Sequence, residues 1–294
     1  MIRQRRKLFL DNHRQKLFLL FSLIFLQSCE IINPEEDIPT YVQIDSIALN
    51  TDYITEGSVN SKFTDAWIYV NGSYLGTYEL PCTIPVIGEG QQKISVRAGV
   101  LDNGIASTRA AYTKTGTFDT ILDMEANKTH IIKPTVRYLT GTVFAQIEDY
   151  DDGSLTLEAT SANTATFSIT PGSDPNALEG NSGYVELDVN HSLFEFATST
   201  PYSLPTSTPV YVEFNYKCNQ EFTLGVFVSS VSGILQSPVL NVRPSTEWNK
   251  IYVNLSDGGG IFTNAFDYKI YFRSTLPAGS SSGYIYLDNL KVLY

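Results

Sequence analysis

From residue 41 onward the chain alternates apolar and polar positions in short runs, and no stretch of useful length keeps the 3.6-residue spacing of an amphipathic helix. Runs punctuated by Gly, Pro, Asn, Ser and Asp are the pattern of strands that each bury one face, which predicts an all-β protein with very little helix. Between 41 and 138 the pattern predicts an opening strand through Val42, Ile44, Ile47 and Leu49, a pair at 66–70 and 74–78, and further strands at 91–99, 105–113 and 129–138. Asn71-Gly72-Ser73 joins the pair as a hairpin, because Asn and Gly tolerate positive φ at little cost. Between 143 and 294 it predicts strands at 143–149, 154–159, 183–189, 209–218, 222–230, 236–242, 248–255, 267–273 and 284–293, a number that suits a jelly-roll sandwich.

The same alternation assigns faces. In Tyr211–Cys218, Val212, Phe214, Tyr216 and Cys218 fall on one face, expected in the core, and Tyr211, Glu213, Asn215 and Lys217 on the other. In 268–273 the outward set is Lys269, Tyr271 and Arg273. If these two strands pair in one concave sheet, then Tyr211, Glu213, Asn215, Lys217, Tyr271 and Arg273 form a ligand surface: rings stack on sugar C–H groups while amides and charges bond hydroxyls. The alternative is a merely solvated outer face. Trp248 resembles a structural tryptophan of jelly-roll sandwiches, which implies a place in the core.

The N-terminus is of another kind. Residues 1–28 carry Arg3, Arg5, Arg6, Lys7, Arg14 and Lys16 against Asp11, followed by the apolar run Leu17 to Leu26. A ten-residue helix rises only about 15 Å, half of a bilayer core, so the run reads as an export signal. It ends in Leu26-Gln27-Ser28-Cys29, which resembles the lipobox of bacterial lipoproteins, with Gln27 departing from the commonest residue there. The resemblance implies lipid on Cys29 and a membrane anchor; ordinary cleavage nearby, leaving a free thiol, is the alternative. Residues 29–40, with two prolines and an acidic group Glu35-Glu36-Asp37, read as a tether. The acidic group resembles export signals of surface lipoproteins of the Bacteroidetes, and Asp45-Ser46-Ile47 and Asp119-Thr120-Ile121 resemble O-glycosylation sites of that phylum, at Ser46 and Thr120.

Charge narrows the partners. Loss of residues 1–28 removes those six basic residues and one acid from totals of 20 and 31, leaving 14 against 30 and a net charge near −16. A body so acidic is repelled by nucleic acid and by anionic lipid, so lipid is the expected membrane contact and no nucleic acid is expected. Cys82 and Cys218 fall in different segments and read as small buried hydrophobes, with an inter-domain disulfide as the alternative.

Two further resemblances concern the body. The stretch from Ala66 to Val100, with its hairpin, proline step and glycine-led strand, resembles PEGA-like and related Ig-like β-sandwich modules, which implies such a fold for 41–138. The runs beginning at Val143, around Trp248 and closing on Leu287-Asp288-Asn289-Leu290 resemble the first, middle and last strands of galactose-binding-like jelly rolls, which include many carbohydrate-binding modules. That likeness covers 143–294 and implies a glycan or other cell-surface ligand. It also implies one structural Ca²⁺ held by Glu148 or Asp149 with Asp288; the alternative is that Asp288 closes a turn.

No catalytic constellation stands out. The body has only His130, in an alternating strand, and His191, in a turn, with neither a partner cysteine nor a Gly-flanked serine elbow. Scattered His and Cys make zinc improbable. The expectation is therefore a non-enzymatic lipoprotein without a cofactor, calcium aside, on the outer membrane at its periplasmic or surface face. It would bind a glycan or surface component; the competing reading is an accessory subunit of an outer-membrane protein complex.

Overall fold

The computed structural model describes residues 37–294. The expected export signal, Cys29 and most of the expected tether lie outside the described residues. Strands dominate, as the alternation predicts, and the only helix among the described residues is the single turn α1 (Tyr53–Glu56), capped by the Asp52 side chain. None is long and apolar enough to cross a membrane.

The first sandwich holds β1 (Thr40–Ile44), β2 (Ala48–Asn50), β3 (Asp65–Val70), β4 (Ser73–Glu79), β5 (Cys82–Val86), β6 (Gly90–Leu101), β7 (Arg109–Ala111), β8 (Thr117–Met124), β9 (Thr129–Ile132) and β10 (Thr135–Arg137). One layer pairs β5-β1-β9, with β10-β2 continuing the same chains; the other pairs β4-β3-β6, with β7 and β8 sharing the far edge of β6. The β3–β4 hairpin turns at Asn71 (φ 49°) and Gly72 (φ 84°), as its sequence predicts. Its core is Val42, Ile44, Ile68, Ile84, Ile94 and Val96 with their neighbours.

The second sandwich holds β11 (Phe144–Glu148), β12 (Leu157–Ala159), β13 (Thr166–Thr170), β14 (Ser182–Asp188), β15 (Leu193–Thr198), β16 (Tyr211–Cys218), β17 (Phe222–Ser230), β18 (Gly233–Val242), β19 (Ser245–Asn254), β20 (Asp267–Thr275) and β21 (Ser282–Leu293). One sheet runs β13-β14-β21-β16-β19, with β11 beside the end of β21; the other runs β12-β15-β20-β17-β18. Between them lies a core in which Phe214 meets Phe272 edge-on at 5.3 Å. Cys218 is buried there; Cys82 is half-buried in the first sandwich, and both thiols are free.

The strands β5, β8, β13 and β15 escaped the sequence pattern. β5 carries Pro85, which reads as a step rather than a strand, and β8 exposes charged and apolar residues alternately at an edge. In contrast, 105–113 is mostly turn, with only β7 paired.

Replacing Phe272 by Ala should cost about 3–5 kcal/mol of stability, the usual range for emptying an aromatic core site. Urea unfolding of the variant against the parent, read as a fall in midpoint at constant slope, checks this.

Candidate functional site

The six residues expected to form one surface do not meet. β16 pairs with β19 and β21, whereas β20 pairs with β15 and β17, so the two strands belong to opposite sheets. Each turns its apolar face inward, where Phe214 and Phe272 touch, and their polar faces therefore point away from each other.

Most of the β16 face is covered by the first sandwich. Tyr211, Glu213 and Asn215 are buried, and the polar face that alternation marks as solvent-facing is an inter-sandwich contact. Glu213 accepts hydrogen bonds from Tyr112, through Oε1, and from Tyr138, at 3.1 Å to each oxygen, and stands 3.5 Å from Lys250 Nζ. Lys291 Nζ donates to the Ser58 carbonyl at 2.8 Å and to Tyr138 Oη at 3.3 Å. Tyr211 and Tyr252 pack against Tyr112, each with centroids 5.0 Å apart, and Asn215 donates to Asn60 at 2.9 Å. Burial pushes the phenols of Tyr112, Tyr138 and Tyr252 well up, lowers Lys250, and lowers Lys291 to about 8.

The three carboxylates expected around Ca²⁺ have separate attachments. Glu148 takes Tyr150 N at 2.8 Å on one oxygen and Thr156 N and Oγ1 at 2.9 and 2.6 Å on the other, which closes the turn after β11. Asp149 accepts from Tyr53 Oη of α1 at 2.7 Å. Asp288 accepts from Ser182 Oγ at 2.8 Å and Asn289 N at 2.7 Å. Among the described residues no group of three or more metal-ligating side chains converges.

On the opposite sheet Tyr271 and Arg273 do share a face. Tyr271 is only 2% exposed, because its ring lies flat on Gly225, where a Cβ would sit 2.4 Å from the ring, and beside Phe227 at 4.9 Å. Arg273 is ion-paired with Glu195, which also accepts from Thr160 at 2.6 Å and Gln236 at 2.9 Å. Burial raises the Glu195 carboxyl, but these bonds outweigh it and hold the group below its ordinary range. This face is thus a self-satisfied polar network with its ring hidden.

The open aromatic surface lies elsewhere, on the half of the β16 sheet that the first sandwich leaves free. Lys217 is opposite Tyr286, Tyr286 is opposite Tyr184, and Tyr184 is opposite Ser168, one register line across four strands. Trp248 joins the line from β19 at the bulge between Tyr216 and Cys218. The rings of Tyr184 and Tyr286 are 4.7 Å apart, Trp248 is 6.1 Å and Tyr284 5.8 Å from Tyr286, and Lys217 Nζ is 6.0 Å from the Tyr286 centroid. All are half-buried. Trp248 is therefore not a core residue: it shares the outward face of β19 with Lys250 and Tyr252, and its Nε1 donates to the Asn176 carbonyl at 2.9 Å. Asn176 Oδ1 also takes Lys217 Nζ at 3.0 Å, so the 171–181 loop walls one side of the row. At the β13 end the row opens into a 230 Å³ depression lined by Thr166, Ser168, Tyr184, Glu186, Asp188 and His191. Sequence alternation places Tyr184, Tyr284 and Tyr286 on one face each of their strands, but only the pairing register aligns them.

Of the remaining expected sites, Ser46 is exposed in the β1–β2 turn and Thr120 is half-buried in β8. His130 lies near the Asp123 carbonyl, and His191 pairs with Asp188 at 3.1 Å.

Asp288 offers a test of this electrostatic picture. Burial raises its carboxyl from 3.8 to about 7, only partly offset by its bonds to Ser182 and Asn289. The folded state then holds a proton that the unfolded state has lost, and this group's contribution to stability falls as pH rises from about 4 to 7. Asp288→Asn should remove that fall, so that the variant gains in Tm relative to the parent between pH 4 and 8, as measured by calorimetry across that range.

No protein-family model matches the chain. No curated protein matches it either. Among solved structures it is similar to a family 11 carbohydrate-binding module from Clostridium thermocellum in complex with a β-1,3-1,4-mixed-linked tetrasaccharide, at 20% identity over 51% of this chain and 95% of that one, with a TM-score of 0.38. A family 22 carbohydrate-binding module of a C. thermocellum xylanase matches at 11% identity over 51% and 91%, TM-score 0.36. A family 51 α-L-arabinofuranosidase matches at 12% over 50% of this chain but only 24% of its own, TM-score 0.36. At these identities and scores the functional reading rests on the chain's own geometry.

Proposed function

We propose that this protein is a lipid-anchored, non-catalytic glycan-binding protein of the outer membrane, and that its second sandwich makes the contact through the row Trp248, Lys217, Tyr286 and Tyr184. The observation that carries the proposal is the register that brings these residues into one line on an uncovered sheet face. From Trp248 to Tyr184 the row crosses three strand spacings, about 14 Å. Rings held side by side offer successive flat faces to the C–H sides of a saccharide chain, and their phenol and indole edges remain polar. Lys217 donates to hydroxyls along the row, and Glu186 and Asp188 accept from them at its end. In the chain, the tether and the first sandwich lie between Cys29 and this face, in keeping with lipid on Cys29 as the attachment. Tyr271 and Arg273, on the opposite sheet, are the site against which this assignment is tested.

A glycan array probed with the full chain should show binding that falls about tenfold or more in Trp248→Ala and in Tyr286→Ala and stays unchanged in Arg273→Ala. Loss in Arg273→Ala alone would move the site to the opposite sheet. A silent array with co-purification of an outer-membrane protein would support the accessory-subunit reading instead. For the anchor, Cys29→Ser should shift the protein from the membrane fraction to the soluble fraction with its Tm unchanged, as fractionation and calorimetry will show; a variant that stays with the membrane places the anchor elsewhere.

A further inference from the structure

Where the edge strand β19, the end of β18 and the turn after β6 come together, the two sandwiches enclose a cleft of about 500 Å³. That volume is within the roughly 300–1,000 Å³ of small-molecule sites and far more than an inorganic anion fills. Its charged lining residues are Lys62, Arg243 and Lys250, all cations, in a chain with 31 acidic and 20 basic residues. Of the acids adjacent in sequence to the lining, Asp102 is held by Tyr211 Oη and Asn254 Nδ2, each at 3.3 Å, and Asp65 is ion-paired with Arg109.

These donors are short of acceptors. Among the described residues neither Lys62 nor Arg243 has an ion-pair partner, and Lys62 Nζ meets only the neutral Asn249 Oδ1 at 2.6 Å. Lys250 Nζ is buried without a hydrogen-bond acceptor, its counter-charge Glu213 standing at 3.5 Å. Asn103 and Asn241 spend their oxygens inside the protein, on Asn254 N at 3.0 Å and Thr223 Oγ1 at 2.8 Å, and their Nδ2 groups have no acceptor among the described residues. A cleft of cations and amide donors matches a ligand rich in acceptors and carrying negative charge.

We propose that this cleft binds an acidic sugar residue of the hexuronate class, with Lys62 and Arg243 taking the carboxylate and the Asn103 and Asn241 amides taking ring or hydroxyl oxygens. The site is built from both sandwiches and is separate from the aromatic row. It adds unpaired cations that the row, whose Lys217 is bonded to Asn176 and whose end carries Glu186 and Asp188, does not offer.

Calorimetric titration of the full chain with D-galacturonate and D-glucuronate, against D-galactose, D-glucose, inorganic phosphate and sulfate, tests the proposal. Either uronate should bind at low salt and weaken as salt rises, and the neutral sugars should not bind in the cleft. Lys62→Gln and Arg243→Gln should each weaken uronate binding about tenfold, since a hydrogen bond to a charged group is lost in each. Both side chains are exposed, so Tm should hold, and a variant with a lowered Tm is replaced by Lys62→Arg or Arg243→Lys, which should retain binding. Tyr286→Ala should leave uronate binding intact, which separates failure of this site from failure of the row. Absence of uronate binding, equal binding of neutral sugars, phosphate or sulfate as tight as the uronate, or indifference to both Gln variants would each overturn the proposal.

Discussion

The arrangement of this molecule turns on one buried carboxylate. Glu213 lies in the middle of a sheet face that would otherwise be open, and it is made tolerable there by two tyrosines from the first sandwich and a lysine from the second. Burying a charge is expensive unless it is paired and hydrogen-bonded. Withdrawal of the first sandwich would strip Glu213 of both phenols and Lys291 of the Ser58 carbonyl at once. The two halves are therefore held by a polar knot, surrounded by the Tyr112, Tyr211 and Tyr252 rings, rather than by a tether alone. Glu179, which accepts from Ser58 at 2.5 Å and Asn60 at 3.1 Å, extends the contact along the 171–181 loop.

That knot decides where a ligand can go. It consumes half of the outer face of the β16 sheet and leaves the half bearing Trp248, Tyr286 and Tyr184, walled by the same loop that Glu179 fastens. It also brings the turn after β6 against β19, so that a cleft with cationic walls exists only in the joined molecule. Coverage and exposure are two results of one contact.

Much of the fold was legible in the chain, and the site was not. Two-residue periodicity located most strands and correctly sent Val212, Phe214, Tyr216 and Cys218 to the core. It could equally say that Glu213 and Asn215 face away from that core, but alternation cannot tell solvent from a second sandwich. A strand with Tyr, Glu, Asn and Lys on its outer face looks the same whether it meets water or a partner whose tyrosines satisfy it. Nor does periodicity contain strand pairing: Tyr184 and Tyr286 lie about a hundred positions apart and become neighbours only through the β14–β21 register. Trp248 misled for another reason: its core placement rests on a resemblance, whereas the alternation of β19 itself sets it on the outward face with Lys250 and Tyr252, away from the buried Ile251 and Val253.

The central claim, that Glu213 couples the two sandwiches, is tested most directly by calorimetry of the parent and of Glu213→Ala. The parent should unfold in one cooperative transition. The variant, which leaves Lys250 buried without its counter-charge and two phenols without their acceptor, should lose about 3–5 kcal/mol and resolve into two transitions, one for each sandwich. Two transitions in the parent, or a variant that unfolds as the parent does, would contradict it.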